Sequence, residues 1–402
     1  MASIVKFTPI TGSYQDACPV SYLLEIDSQK LLLDCGLLPA DANGRFRIDD
    51  AYLKALRRIA KTVDAVLLSH GDLKHCGALP LIADCFPATV PIYATVPVHH
   101  MGLMTLYDTL QSLEPFNSSP FDYDQVDAAF DRIQRLRYSQ PIQLAGSVNL
   151  MALPAGHSIG GSMWRIRKAP AEDILYTPAF NHKREAHLDG AVFDAITRPS
   201  LMIVDASQAL SPAVVKKDRD GGLFTALAAS FRAGGSVLIP CDSALRLLEL
   251  AFVIESGWSD LMGALRSSTS SARAYILTYQ AYRTLEFAKG MLEWMSQSVM
   301  KIFDADRTNP FDFKHVRLIH SLEEVSSSVP AVILASSEYL DFGHSHALLA
   351  TFARSSANTI LAPFEPLPGS LLARLLNESH INEIKIKVIN TILSRLFLIF
   401  FF

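Results

Sequence analysis

Short apolar runs separated by turns open the chain, over residues 3–9, 20–26 and 30–34, the last running into Gly36. Runs of this length predict strands. Asp49 or Asp50 can cap a helix in which Leu53, Leu56 and Ile59 recur at helical spacing. A strand follows over 64–69, then a helix over 77–85 and a buried strand over 91–95. The segment 124–137 predicts an amphipathic helix, with Val126, Phe130, Ile133 and Leu136 on one face. Strands return over 148–153, 162–167, 173–176 and 200–205. This block predicts two sheets covered by helices.

Beyond Asp205 the rhythm changes to strand then helix: 236–240 before 243–254, 274–278 before 285–303, 331–335 before 345–352, and 358–362 before 369–376. Apolar strands separated by helices predict a parallel sheet covered on both faces. Residues 216–222, rich in charge and glycine, read as an exposed segment near the boundary. The expected class is therefore α/β, with domains at 1–205 and 206–380 and an apolar tail at 381–402.

Composition refines this in three ways. Half of the residues are hydrophobic, enough for substantial cores. The formal charge of -4 gives no whole-chain case for nucleic-acid binding, so such a role needs a local patch. Five scattered cysteines form no CxxC pair and no disulfide framework, and the first residues lack a signal-peptide pattern. The tail's strongly apolar stretch, Val388 to Phe402, is interrupted by Asn390, Thr391, Ser394 and Arg395 and is shorter than the roughly 20 residues of a spanning helix. No membrane partner is expected.

The chemistry concentrates in Ser69-His70-Gly71-Asp72-Leu73-Lys74-His75-Cys76-Gly77, just after a buried strand. Imidazoles and carboxylates on such a loop are the ligands that fix a borderline cation and turn its water into a nucleophile. The usual arrangement is His-x-His-x-Asp-His, and here the register is His70, Asp72, Lys74, His75. Elsewhere, His344 and His346 stand two apart and read as surface or capping residues; His99 and His100 are adjacent and point different ways. Arg165, Arg167 and Lys168 read as a basic strand end that blocks edge pairing or touches phosphate.

Taken with Leu32-Leu33-Asp34-Cys35-Gly36, Pro154-Ala155-Gly156-His157, Phe180-Asn181-His182-Lys183-Arg184-Glu185 and Glu293-Trp294-Met295-Ser296, the loop resembles the β-CASP branch of the metallo-β-lactamase fold. Within it the chain is most similar to the non-catalytic subunits that accompany the pre-mRNA 3'-end endonuclease. The resemblance implies an αββα sandwich followed by a β-CASP domain, a nuclear location and a role in cleavage and polyadenylation. The implied partners are the active β-CASP endonuclease subunit, other 3'-end processing factors and pre-mRNA, reached directly or through the complex.

The same resemblance sets the ligand positions. His70, His75 and His157 stand where active enzymes have ligands, Asp72 stands for a histidine, Lys74 for the aspartate and Ala179 for the bridging aspartate. An ammonium has no lone pair and puts positive charge where a dication would sit. Asp205 matches the acidic residue that closes the first domain, and further family histidines belong to a returning segment not found before Phe402. The expectation is no catalytic residue, no cofactor and vestigial metal positions at His70, Asp72, His75 and His157. A weak single zinc site stays open, as does the alternative of a metal-dependent RNA endonuclease with a reduced site. Lys74 is expected either to neutralise Asp34, Asp72 or Asp205, or to extend into solvent.

Overall fold

The structure, a computed structural model, describes residues 4–10, 18–168, 172–194, 196, 198–206, 215–266, 271–325, 329–363, 365–377 and 397–400. The chain begins with β1 (Val5–Pro9), β2 (Tyr22–Ile26) and β3 (Gln29–Leu33), then α1 (Asp50–Ala60), whose N-cap is Asp49. There follow β4 (Ala65–Leu67), the one-turn helices α2 (Leu73–Cys76) and α3 (Leu79–Ile82), β5 (Ile92–Thr95), α4 (Val96–Leu113), α5 (Tyr123–Asp131) and β6 (Ile133–Leu136). β1 to β3 pair antiparallel and β3 to β6 parallel, giving a six-stranded sheet in chain order.

A second sheet runs β11-β10-β9-β8-β7, from β7 (Pro141–Gln143), β8 (Val148–Pro154), β9 (Ser162–Lys168), β10 (Glu172–Thr177) and β11 (Leu201–Val204). The two sheets bury one core, with Leu24, Leu31, Leu33 and Leu67 from the first meeting Leu150, Trp164, Ile166 and Tyr176 from the second. The other face of the first sheet packs under Tyr52, Leu56 and Ala60 of α1 and Leu106 and Leu110 of α4.

The second domain contains α6 (Lys216–Arg232), β12 (Val237–Pro240), α7 (Arg246–Leu265), β13 (Arg273–Leu277), α8 (Ala281–Lys289), α9 (Gln297–Asp306) and β14 (Val316–Leu318). It continues with β15 (Ala331–Ala335), α10 (Gly343–Phe352), β16 (Thr359–Ala362), α11 (Leu371–Asn377) and β17 (Phe397–Phe400). All pairings in its sheet, β14-β13-β15-β12-β16-β17, are parallel. The α/β class, the sandwich and the parallel second domain are as expected. Of the apolar tail, only β17 lies within the described residues, paired with β16. No helix among the described residues is long and apolar enough to cross a membrane.

Three local expectations are corrected. The helix expected over 124–137 ends at Asp131, and Ile133–Leu136 pairs parallel with β5. The Arg132 guanidinium fixes the switch by donating to the Ala83, Phe86 and Pro87 carbonyls. Residues expected to form one helix over 285–303 form two, because Gly290 follows α8 and Ser296 caps α9 through Val299 N–H. Residues 216–222, expected as an exposed segment, open α6 with Lys217, Asp218 and Gly221 exposed. β9, carrying Arg165, Arg167 and Lys168, is central and not an edge: Arg165 donates to Asp173 at 2.9 and 2.6 Å, and Lys168 pairs with Asp27.

Candidate functional site

The site grows out of the parallel pairing of β3 with β4, which sets the residues after each strand side by side. Asp34 leaves β3 in the left-handed region, φ 55°, with its carboxylate completely buried. It accepts from Ser69 N–H at 2.7 Å, Ser69 Oγ at 2.6 Å and Tyr176 OH at 2.6 Å. Burial pushes the Asp34 carboxyl up to about 6, against the His75 charge and these hydrogen bonds. Because Ser69 Oγ donates to Asp34, it accepts from His70 Nδ1 at 2.9 Å, leaving Nε2 of His70 as the unprotonated nitrogen. Burial, then the neighbouring His75 and His157, holds His70 well below the usual histidine range.

Asp72 has a role that sequence reasoning missed. It is the N-cap of α2: Oδ1 accepts His75 N–H at 3.0 Å and His75 Nδ1 at 2.6 Å. Burial opposes both charges, yet the mutual attraction prevails, lowering Asp72 well below the carboxylate range and raising His75. The rings of His70 and His75 lie 4.8 Å apart, and His157 stands edge-on to His70 at 5.5 Å. Nε2 of both His70 and His75 is buried without a hydrogen-bond partner. The structure thus brings His70, Asp72, His75 and His157 together.

Lys74 turns to Asp205, Nζ to Oδ2 3.9 Å, with about half of its side chain exposed. Of the three carboxylates considered for it, Asp205 is the one it meets, and an exposed pair at this separation contributes little stability. The loop backbone is held separately: Val20 N–H donates to the Lys74 carbonyl at 2.8 Å, Cys35 N–H to His75 at 2.8 Å and Leu37 N–H to Leu73 at 2.7 Å. Gly36 makes this possible, since a Cβ there would stand 1.7 Å from the Lys74 carbonyl oxygen.

The second domain faces this loop. Asp242 receives the Ala244, Leu245 and Arg246 N–H groups at the start of α7. Burial, then the charges of Asp242 and Asp72, push Glu338 well above its ordinary range. Inter-domain ties hold the arrangement: Tyr279 N–H donates to buried Asp108 at 2.7 Å, and the His187 to Glu249 pair is flanked by Arg219, which forks onto Glu185 at 3.0 and 2.8 Å. Ser296 N–H donates to the His187 carbonyl at 2.9 Å, which places the Glu293–Ser296 stretch at the same junction. His344 and His346 are buried, against expectation: His344 stacks on Tyr279 at 4.1 Å and His346 bonds the Leu340 carbonyl at 2.7 Å. His99 packs on Phe130 and His100 on Phe287.

A two-metal centre needs bridging and terminal carboxylates beside the imidazoles. Asp72 Oδ1 is committed to His75, Lys74 offers an ammonium, and Ala179 has no ligand atom. These residues do not fit a dinuclear centre. Among the described residues, no group of three or more His, Cys, Asp or Glu is placed to hold a metal ion.

The metallo-beta-lactamase superfamily domain matches residues 23–209 and the Beta-Casp domain residues 247–375. The chain belongs to the metallo-β-lactamase/β-CASP family. Within that family it is similar to "Probable cleavage and polyadenylation specificity factor subunit 2" of Drosophila melanogaster, 39% identical over 93% of this chain and 49% of that protein. "Cleavage and polyadenylation specificity factor subunit 2" of Arabidopsis thaliana is 37% identical over 90% of this chain and 48% of its own length. "Cleavage factor two protein 2" of Schizosaccharomyces pombe is 32% identical over 84% and 42%. The chain spans about half the length of these curated relatives. The resemblance read from the sequence, to non-catalytic β-CASP subunits of 3'-end processing, is thus to subunit 2 of this factor.

Proposed function

We propose that this β-CASP chain is a non-catalytic subunit of the cleavage and polyadenylation specificity factor complex, acting in the nucleus in pre-mRNA 3'-end cleavage and polyadenylation. It supports the active endonuclease subunit through protein contacts and carries no metal of its own. The observation that carries this reading is the loop from His70 to His75: Asp72 caps a helix and orients His75, while Lys74 faces Asp205. A hydroxide nucleophile made by two bridged cations has no ligand set here. The names of the relatives support the process, and the loop chemistry supports the absence of cleavage.

The second reading, a reduced metal-dependent RNA endonuclease, draws on the two buried Nε2 atoms of His70 and His75 that lack partners. Metal analysis of the purified chain decides between them. The expected result is zinc far below one equivalent and no cleavage of RNA; near-stoichiometric zinc lost on His70→Ala would establish the second reading. The variant Asp72→His, Lys74→Asp, Ala179→Asp is expected to raise the zinc content, since it puts carboxylates at 74 and 179, where no ligand atom stands, and an imidazole at 72. Retention of the active endonuclease subunit in a pull-down tests the partnership.

A further inference from the structure

Helix α1 carries Lys54, Arg57 and Arg58, and its C-cap Lys61 keeps right-handed helical backbone at φ -74°, ψ -12°. The spacing i, i+3, i+4, i+7 places all four cations on one face, spread over about 10 Å of helix. All four are exposed. None makes a side-chain hydrogen bond or ion pair among the described residues. The acids at the start of the helix do not answer them: Asp49 caps Ala51 N–H, and Asp50 forms no ion pair with Lys54 one turn away. The opposite face, Tyr52, Leu56 and Ala60, is buried on the first sheet, so the helix is fixed with this stripe outward.

A purely solvated helix face usually interleaves acids at i+3 and i+4, because those neighbours attract. Here residues 54 and 57, 54 and 58, 57 and 61, and 58 and 61 are four repelling pairs. The helix dipole favours cations in the last turn, which accounts for Arg58 and Lys61 but not for Lys54 or for the lack of any acid among them. The face also has no exposed large apolar side chain. Protein interfaces centre on aromatic and apolar anchors, whereas a polyanion backbone asks only for closely spaced charge.

We infer that the exposed basic face of α1, Lys54, Arg57, Arg58 and Lys61, binds the phosphate backbone of single-stranded RNA. The choice of RNA over other polyanions rests on the proposed role in pre-mRNA processing. α1 starts beside the histidine loop, where Tyr52 OH donates to the Gly36 carbonyl at 2.7 Å, and ends just before β4, so the stripe from Lys54 to Lys61 leads away from that loop. The face is a tether for the transcript and is independent of any reaction. It also supplies the local patch that the net charge of -4 made necessary.

Fluorescence anisotropy of the full chain with labelled oligouridine tests this. Affinity is expected to fall with salt at a log–log slope of about -2 to -3, as four cations on a single strand require. The variant Lys54→Gln, Arg57→Gln, Arg58→Gln, Lys61→Gln is expected to bind at least roughly tenfold more weakly at low salt, with a shallower slope and an unchanged melting temperature. Unchanged RNA binding by this variant overturns the inference. Polyglutamate that competes as well as unlabelled RNA overturns it in favour of an acidic protein partner. Neither result touches the metal analysis or the pull-down, so failure here is distinct from failure of the proposed function.

Discussion

Replacing Gly36 by alanine should abolish cooperative unfolding, or lower the urea midpoint so far that the chain is largely unfolded in buffer. The new Cβ would lie 1.7 Å from the Lys74 carbonyl oxygen and 2.9 Å from Val20 N, both backbone atoms that no rotamer change can move. Relief requires separating the 34–37 turn from the 73–75 turn. That breaks the hydrogen bonds of Val20, Cys35 and Leu37 to Lys74, His75 and Leu73 in a buried region. At about 1–3 kcal/mol for each buried group left unpaired, the cost is roughly 4 kcal/mol or more, a large part of a domain's total stability. Gly221→Ala in α6 is the matched control. Its Cβ meets nothing within 4 Å, and the change should stabilise by up to about 1 kcal/mol. Circular dichroism in a urea titration reads both, and a Gly36→Ala midpoint close to that of the parent would contradict the close approach.

The second large effect is expected from Asp34→Ala. Three buried donors, Ser69 N–H, Ser69 Oγ and Tyr176 OH, lose their acceptor, and the orientation of His70 through Ser69 is lost with them. The cost should be several kcal/mol, whereas Tyr176→Phe, which removes one donor, should cost about 1 kcal/mol. The pH dependence has a defined sign. Burial raises the folded carboxyl from 3.8 to about 6, so the contribution of Asp34 is complete below the unfolded value and is lost as pH rises through the folded one. The penalty of Asp34→Ala should therefore be largest near pH 4 and decline by roughly 3 kcal/mol towards pH 7. A penalty that grew with pH would show instead that the carboxylate is stabilised in its charged form.

How much of this was legible in the sequence varied with the distance over which the signal acts. The four inner parallel strands of the second domain, β12, β13, β15 and β16, read clearly, because each is an apolar run too short for a helix and almost wholly buried; Ala331–Ala335 matches to the residue. α4 was invisible as a helix: Pro97, Val98, Met101, Met104, Leu106 and Leu110 are all buried, so the helix has no strong polar face to betray its period. The switch from α5 to β6 failed for the opposite reason. Ile133 and Leu136 continue the helical spacing of Val126 and Phe130, and only pairing with β5 turns them into a strand. Gly290 and Ser296 were readable stop and start signals between α8 and α9.

At the site, the sequence located the loop and its histidines, and the structure assembles them. It did not yield the function of Asp72, because a cap and a ligand call for the same residue type. Nor could it place Glu338 and Asp242 opposite the loop, since that juxtaposition depends on how one domain seats on another. The basic stripe of α1 was within reach, as Lys54, Arg57, Arg58 and Lys61 follow plain helical spacing.

The way the His70 to His75 turn is anchored has a wider consequence. Its shape is set by main-chain contacts to residues 20, 35 and 37 and by the Asp34 carboxylate, none of which depends on the side chain at 74. Chemistry and architecture are therefore decoupled at position 74, in contrast to Asp72, whose carboxylate also caps α2. Substitutions at 74 can accumulate, or be reversed, without a toll on these contacts. Position 74 behaves as a replaceable slot in a rigid frame, into which a designer can write a new side chain with little risk to the fold.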